Sequence, residues 1–181
     1  DVYGEQIGTR LEDQSSFAKY LGGCPANIAV GASRLGLKAA MLTRVGDEHN
    51  GRFVRETLAA EGVDVSHVKT DPQRLTALVF LAIRDRDTFP LIFYRHECAD
   101  MGIAAADFDA AFIGSARALL VSGTHFSQPE IAAVCLRAIR QARRFVFDID
   151  YRPVLWGLTS PGMGEQRFVA SQHVTRKLQE V

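Results

Sequence analysis

Two glycines and an asparagine offer the first chemistry in this sequence, in the run Gly22-Gly23-Cys24-Pro25-Ala26-Asn27. Glycines let the backbone approach a ligand closely, and the free N–H groups at a helix start donate to hydroxyl or anionic groups. Pro25 marks such a start, because the N–H that proline lacks would be unpaired there in any case. Asn27 then falls in the first turn, with an amide that both donates and accepts. Local physics leaves two readings open: a ligand-binding turn, or a tight turn with a capping asparagine.

A second set of reactive types stands in Asp148-Ile149-Asp150-Tyr151-Arg152-Pro153-Val154-Leu155-Trp156, directly after the apolar run Phe145-Val146-Phe147. Carboxylates accept paired hydrogen bonds from neighbouring hydroxyls, and Arg152 carries a planar fork suited to a carboxylate or a phosphate. Asp148 and Asp150 also read as a metal–nucleotide pair, and Asp148 as a plain strand-end cap. Phe93-Tyr94-Arg95 supplies another guanidinium, which taken alone reads as solvated surface. Gly123-Thr124-His125 ends a further apolar run and brings Thr124 to a strand end. His125 has no partner visible in the sequence for triad or metal chemistry and is read as structural. No residue in the sequence is marked as a base for Cys24.

These residues need elements to position them. Small apolar residues from Pro25 to Leu35, stopped by Gly36, predict a helix pressed closely on a sheet. Residues 39–45 predict a buried strand ended by Gly46-Asp47, and 51–61 an amphipathic helix with Phe53, Val54 and Leu58 inward. Residues 63–68 predict a short extended piece. Residues 76–84 and 91–95 predict a hairpin with one exposed face. A strand over 118–121, a helix over 129–144 and a strand over 145–150 follow, and Thr175 to Val181 lies in another helix. In the helix over 129–144, Ile131, Val134, Cys135, Ala138, Ile139 and Ala142 share one face. Strands alternating with helices predict an α/β fold with a parallel sheet, whose ligands gather at the carboxyl ends of the strands.

Bulk properties narrow the partner. The chain has 181 residues, 47% of them hydrophobic, which is enough for a substantial core. With 21 basic and 21 acidic side chains it lacks the excess positive charge of a nucleic-acid binder. No apolar run approaches membrane-spanning length. Three scattered cysteines form neither a disulfide framework nor a zinc pattern, so a reducing, cytoplasmic setting is expected. Neither a GxxxxGK[ST] loop nor a GxGxxG after a strand is present.

The spacing beyond Asn27 carries a resemblance. Gly22, Gly23, Pro25, Asn27 and Ala29, followed by Gly36 and Gly46, make a gapped pattern across 25 positions. It resembles the signature of the ribokinase-like (PfkB) family of carbohydrate kinases. The resemblance implies a ribokinase-like sheet flanked by helices, with a small β-sheet lid drawn from about 1–21 and 75–95. It implies that Gly22, Gly23 and Asn27 contact sugar hydroxyls, and that Asp1, at the end of a first strand, holds a pair of them. In this family the lid often forms a homodimer contact.

The stretches 3–8, 89–95, 124–126 and 148–156 resemble the branch of the family that phosphorylates sugar acids. There Phe93 and Arg95 reach substrate, Thr124 lines the pocket, and Asp150 and Arg152 stand in an Asp-x-Asn-x-Arg run, with Asp150 replacing the Asn. The resemblance implies ATP and Mg²⁺ as cofactors and the C6 hydroxyl of a keto-deoxy sugar acid as acceptor. The alternative within the family is a related sugar-acid kinase acting on 2-keto-3-deoxygluconate, or a fructokinase, although a ribokinase or fructokinase would need no carboxylate clamp. The family places its general base, an Asp, in a Gly-Ala-Gly-Asp run that this sequence does not contain, so that base is expected beyond Val181. The chain opens on Asp1 and closes at Val181 within a helical stretch. Residues 1–181 are therefore expected to be the N-terminal part of one ribokinase-like domain, without the ATP-binding part and inactive alone. A non-catalytic sugar-acid-binding or interaction module is the reading from another class.

Overall fold

The computed structural model describes all 181 residues. Two parts arise from the apolar patterning: a small mixed sheet, and a body in which short parallel strand pairs lie against helices.

The small sheet holds four strands, β1 (Val2–Gly4), β2 (Phe17–Lys19), β5 (Leu78–Leu81) and β6 (Leu91–Tyr94), in the order β2-β1-β5-β6. β1 runs antiparallel to β2, with Tyr3 opposite Ala18, and parallel to β5, with Tyr3 opposite Leu81. β5 and β6 form the expected antiparallel hairpin, Val79 facing Phe93. Side chains alternate across a strand, so this register puts Phe17, Phe80, Ile92 and Tyr94 on one face and Tyr3, Leu81, Leu91 and Phe93 on the other.

In the body, β3 (Thr43–Gly46) pairs in parallel with β4 (Val68–Asp71), and β7 (Leu119–Ser122) with β8 (Phe145–Asp148). The helices are α1 (Cys24–Arg34), α2 (His49–Ala60), α3 (Ala110–Ser115), α4 (Pro129–Gln141) and α5 (Gln172–Gln179). Ala26 and Ala29 of α1 pack with Met41, Val45, Leu58, Val63 and Val68 in one buried cluster. The small side chains let the helix approach the strands closely. Glu48 caps α2, accepting from the N–H groups of Asn50 at 2.6 Å and Gly51 at 3.0 Å. No helix is long and apolar enough to cross a membrane.

Several boundaries differ from the sequence expectation. The strand expected over 39–45 pairs continuously only from Thr43, with Ala40 making an isolated bridge to Asp64. The piece expected over 63–68 becomes a strand only at Val68, because Asp64 accepts from Ser66 N–H at 2.8 Å and turns the chain first. The helix expected to reach residue 144 ends at Gln141, and Ala142 is already extended. The helix expected to run on to Val181 is α5, which begins earlier, at Gln172, and ends at Gln179. Ser171 sets its start by accepting from Val174 N–H at 3.3 Å, and Val181 lies outside the helix, half-buried.

Behind the core, Arg44 binds both oxygens of Asp107, at 2.7 and 2.9 Å, and Asp71 at 3.3 Å. Burial raises the pKa of Asp71 and Asp107, but their hydrogen bonds to the arginines and to backbone N–H groups outweigh it and hold both below the ordinary carboxylate value. The network fixes β3, β4 and the 3₁₀ turn at Ala105–Asp107 to one another.

Candidate functional site

The glycine-rich turn is shaped by the chain's first residue. A Cβ on Gly22 would collide with the Asp1 carboxylate, so the carboxylate lies directly on that backbone. The Asp1 ammonium donates to the Tyr20 carbonyl at 2.9 Å, and Tyr20 N–H returns a 2.9 Å bond to the Asp1 carbonyl. Gly23 adopts φ +87°, a conformation open to glycine, and the space where its Cβ would stand is empty. It caps α1, and Asn27 closes the first turn by donating its N–H to the Gly23 carbonyl at 3.0 Å. The Asn27 amide is exposed and has no partner within the protein.

Cys24 joins this turn to the carboxyl end of β8, donating its S–H to Asp148 Oδ2 at 2.5 Å. Burial first, then the hydrogen bond to Asp148 and the charges of Asp148 and Asp150, push the Cys24 thiol up to about 12; Arg152 pulls weakly the other way. A thiol so protonated is a donor, not a nucleophile. Arg152 Nε donates to Asp150 Oδ1 at 2.8 Å. Gly22, Gly23, Cys24, Asp148, Asp150 and Arg152 are thus brought together, with Asp1 beside Gly22 and Asn27 one turn along α1.

Arg95 and Thr124 belong to a second group. Arg95 follows β6 and is far from solvated: its side chain is 13% exposed and contacts Asp100 Oδ2 through Nε at 2.7 Å and Nη2 at 2.6 Å. His125 Nε2 lies 3.4 Å from Arg95 Nη2. Burial, then the Arg95 charge, pulls His125 down to about 4 against the opposing charge of Asp100, so the ring is neutral near pH 7. Thr124 is buried, with its hydroxyl 3.1 Å from that of Ser122. Phe93 is half-buried on β6.

The two groups meet where β7 and β8 end. A Cβ on Gly123 would collide with the Ile149 carbonyl, so the turn carrying Thr124 and His125 lies against the backbone just before Asp150. The arrangement presents carboxylates, helix-start N–H groups and two guanidinium groups around one edge. Cys24, Asp148 and Asp150 offer ligand atoms within 4.8 Å of one another. They do not suit Mg²⁺, which requires a near-octahedral shell of oxygens, because one donor is a protonated thiol and Asp150 already holds Arg152.

Asp100 and the partner role of Asp148 went unseen in the sequence. Asp100 lies five residues beyond Arg95, and an Arg–Asp pair at that distance has no periodic signal outside a helix. The bond between Cys24 and Asp148 spans 124 positions and is invisible without the fold. His125, read as structural for want of a partner, has one in Arg95.

A family model described as pfkB family carbohydrate kinase matches residues 1–161. The chain is 38% identical over 161 residues to a 5-dehydro-2-deoxygluconokinase of Geobacillus kaustophilus, which covers 86% of this chain and 48% of that protein. The corresponding protein of Bacillus subtilis is 32% identical, covering 86% and 50%. The chain spans about half the length of the curated relatives it matches. Among solved structures, a PfkB protein from Polaromonas sp. superposes with a TM-score of 0.81 at 28% identity, covering 99% of this chain and 58% of that one. A fructokinase from Xylella fastidiosa with bound ATP gives 0.75 at 26% identity, covering 86% and 50%. The α/β fold is therefore ribokinase-like and partial relative to those chains.

Proposed function

The chain belongs to the pfkB family of carbohydrate kinases, and from that premise we propose that it forms the sugar-binding part of a 5-dehydro-2-deoxygluconokinase. Such an enzyme moves the γ-phosphate of ATP to the C6 hydroxyl of 5-dehydro-2-deoxy-D-gluconate, a step of myo-inositol catabolism, and a cytoplasmic setting fits the three free thiols. One observation carries the reading: the Cys24–Asp148 contact, which sets the glycine-rich turn against the end of β8 and its Asp150–Arg152 pair.

On this reading Asp1 and Asn27 hold sugar hydroxyls, and the backbone at Gly22 and Gly23 approaches the ring. Asp150 orients Arg152, and Arg152 and Arg95 bind the carboxylate end of the substrate. Phe93 and Thr124 line the pocket. The small sheet acts as a lid that excludes water from the acceptor hydroxyl. Its outer face is an open, mainly apolar depression of about 310 Å³ lined by Leu11, Glu12, Phe17, Phe80, Ile92 and Tyr94, which supports a homodimer through that face.

Phosphoryl transfer rests on positioning, charge neutralisation and a base for the attacking hydroxyl. The base and the anion-holding N–H groups belong, by family resemblance, to a Gly-Ala-Gly-Asp run, which these 181 residues lack. In a full-length kinase that run would follow Val181. ATP and Mg²⁺ would supply the phosphoryl group and its charge neutralisation from the same remaining part. The 181 residues alone then bind sugar acid without turnover. A fructokinase is the second reading, favoured by the likeness to the Xylella protein. Calorimetry of the chain with 5-dehydro-2-deoxy-D-gluconate and with fructose separates the two: saturable binding of the acid supports the proposal, and preference for fructose overturns it.

A further inference from the structure

Arg95 cannot swing freely toward a ligand, because three of its contacts are already made. Asp100 Oδ2 takes Nε and Nη2, and His125 Nε2 stands against Nη2. Nη1 has no partner within the protein. A guanidinium carries five N–H donors in a rigid fork, so fixing one edge decides where the other points.

The chain bends to make this arrangement. Glu97 adopts φ +48°, a left-handed conformation that is costly outside glycine, in the turn that returns Asp100 to Arg95. Cys98 and Ala99 are buried, and Ala99 N–H bonds to the Leu75 carbonyl at 2.8 Å, which anchors the returning segment. Asp100 Oδ1 is itself buried with no hydrogen-bond partner. A strained backbone and an unsatisfied carboxylate oxygen both work against stability, so their presence at one cluster calls for another reason. The cluster also joins two parts of the fold: Arg95 follows β6 of the small sheet, and His125 follows β7 of the body.

We propose that Asp100, assisted by His125, is a positioning residue for Arg95, holding its Nε/Nη2 edge so that Nη1 is presented to the carboxylate of a sugar acid. This rests on the sugar-acid reading given above. Without Asp100, the guanidinium turns to solvent and the preference for an acid over a neutral sugar is lost while the rest of the site stands. His125, as a neutral ring, accepts from Nη2 without competing for the carboxylate.

The test compares Michaelis constants of the full-length protein for 5-dehydro-2-deoxy-D-gluconate and for its neutral amide. Asp100→Ala is expected to reduce the acid-over-amide preference about tenfold with kcat nearly unchanged, as loss of one charge-assisted contact predicts. Asp100→Asn, which still accepts from Nε, should restore most of it. If Ala at position 100 prevents folding, Asp100→Ser, too short to reach Arg95, carries the same expectation. An unchanged preference in Asp100→Ala, with the preference abolished in Arg95→Ala, overturns the positioning role and leaves the sugar-acid reading intact. An unchanged preference in Arg95→Ala overturns the carboxylate clamp and the positioning role together.

Discussion

Cys24 Sγ lies 2.5 Å from Asp148 Oδ2, so the first turn of α1 is tied by one side-chain contact to the end of β8. The pair aligns the glycine-rich turn with the strand end that leads into Asp150 and Arg152. It also makes the cysteine a hydrogen-bond donor in place of a reactive thiol.

Cys24→Ala is expected to destabilise the protein by about 1–3 kcal/mol, because a carboxylate loses its donor, and Cys24→Ser by less. Denaturant melts check this. The thiol is raised from an ordinary 9.0 to about 12. A raised folded pKa contributes stability that is complete below about pH 9 and is lost as pH climbs towards 12. Cys24 should also alkylate slowly at pH 8; labelling at the rate of a free cysteine would contradict the contact.

Gly22→Ala places a methyl group against the Asp1 carboxylate. The atoms it meets are the end of a side chain that can move aside, so the melting temperature should change little. Affinity for the sugar acid should fall about tenfold or more, the equivalent of one displaced hydroxyl contact. Calorimetry beside a thermal melt distinguishes the two effects.

Gly123→Ala meets backbone and not a movable side chain, since the neighbour is the Ile149 carbonyl. The two strand ends must separate, and a loss of about 1–3 kcal/mol is expected. A lower denaturant midpoint with an unchanged slope is the expected signature.

Asp107→Ala leaves Arg44 without its bidentate partner but still in contact with Asp71 at 3.3 Å, and is expected to cost about 1–3 kcal/mol, the range for losing charge-assisted hydrogen bonds. Asp71 and Asp107 both titrate below their ordinary value of 3.8. Their depressed folded pKa values contribute stability that is present above about pH 4 and lost as pH falls through the folded values. His125, lowered from 6.5 to about 4, adds a loss that begins earlier, as pH falls from 6.5 towards 4. An acid melt of His125→Gln should lack that earlier part.

The alternation of apolar strands with helices was enough to read the α/β class, the hairpin β5–β6 and the pair β7–β8, because burial writes a periodic pattern. The turn at Gly22–Asn27 was legible through the spacing of its glycines to Gly36 and Gly46. Gly46 has a packing reason as well: a Cβ there would stand 2.7 Å from the Arg74 carbonyl. What stayed hidden were contacts between positions far apart or without a period. Arg95 looked like a solvated strand end, and the fold buries it against Asp100 and His125. The strand starts at Thr43 and Val68 were displaced by turn chemistry at Asp64, which competes locally with extended pairing.

The most direct test is phosphorylation by the full-length protein in which these residues stand, given ATP, Mg²⁺ and a panel of sugars. The highest kcat/KM is expected for 5-dehydro-2-deoxy-D-gluconate, with phosphate on C6, and a selective loss of that substrate in Arg152→Ala. A higher kcat/KM for 2-keto-3-deoxygluconate, fructose or ribose would contradict the proposed function.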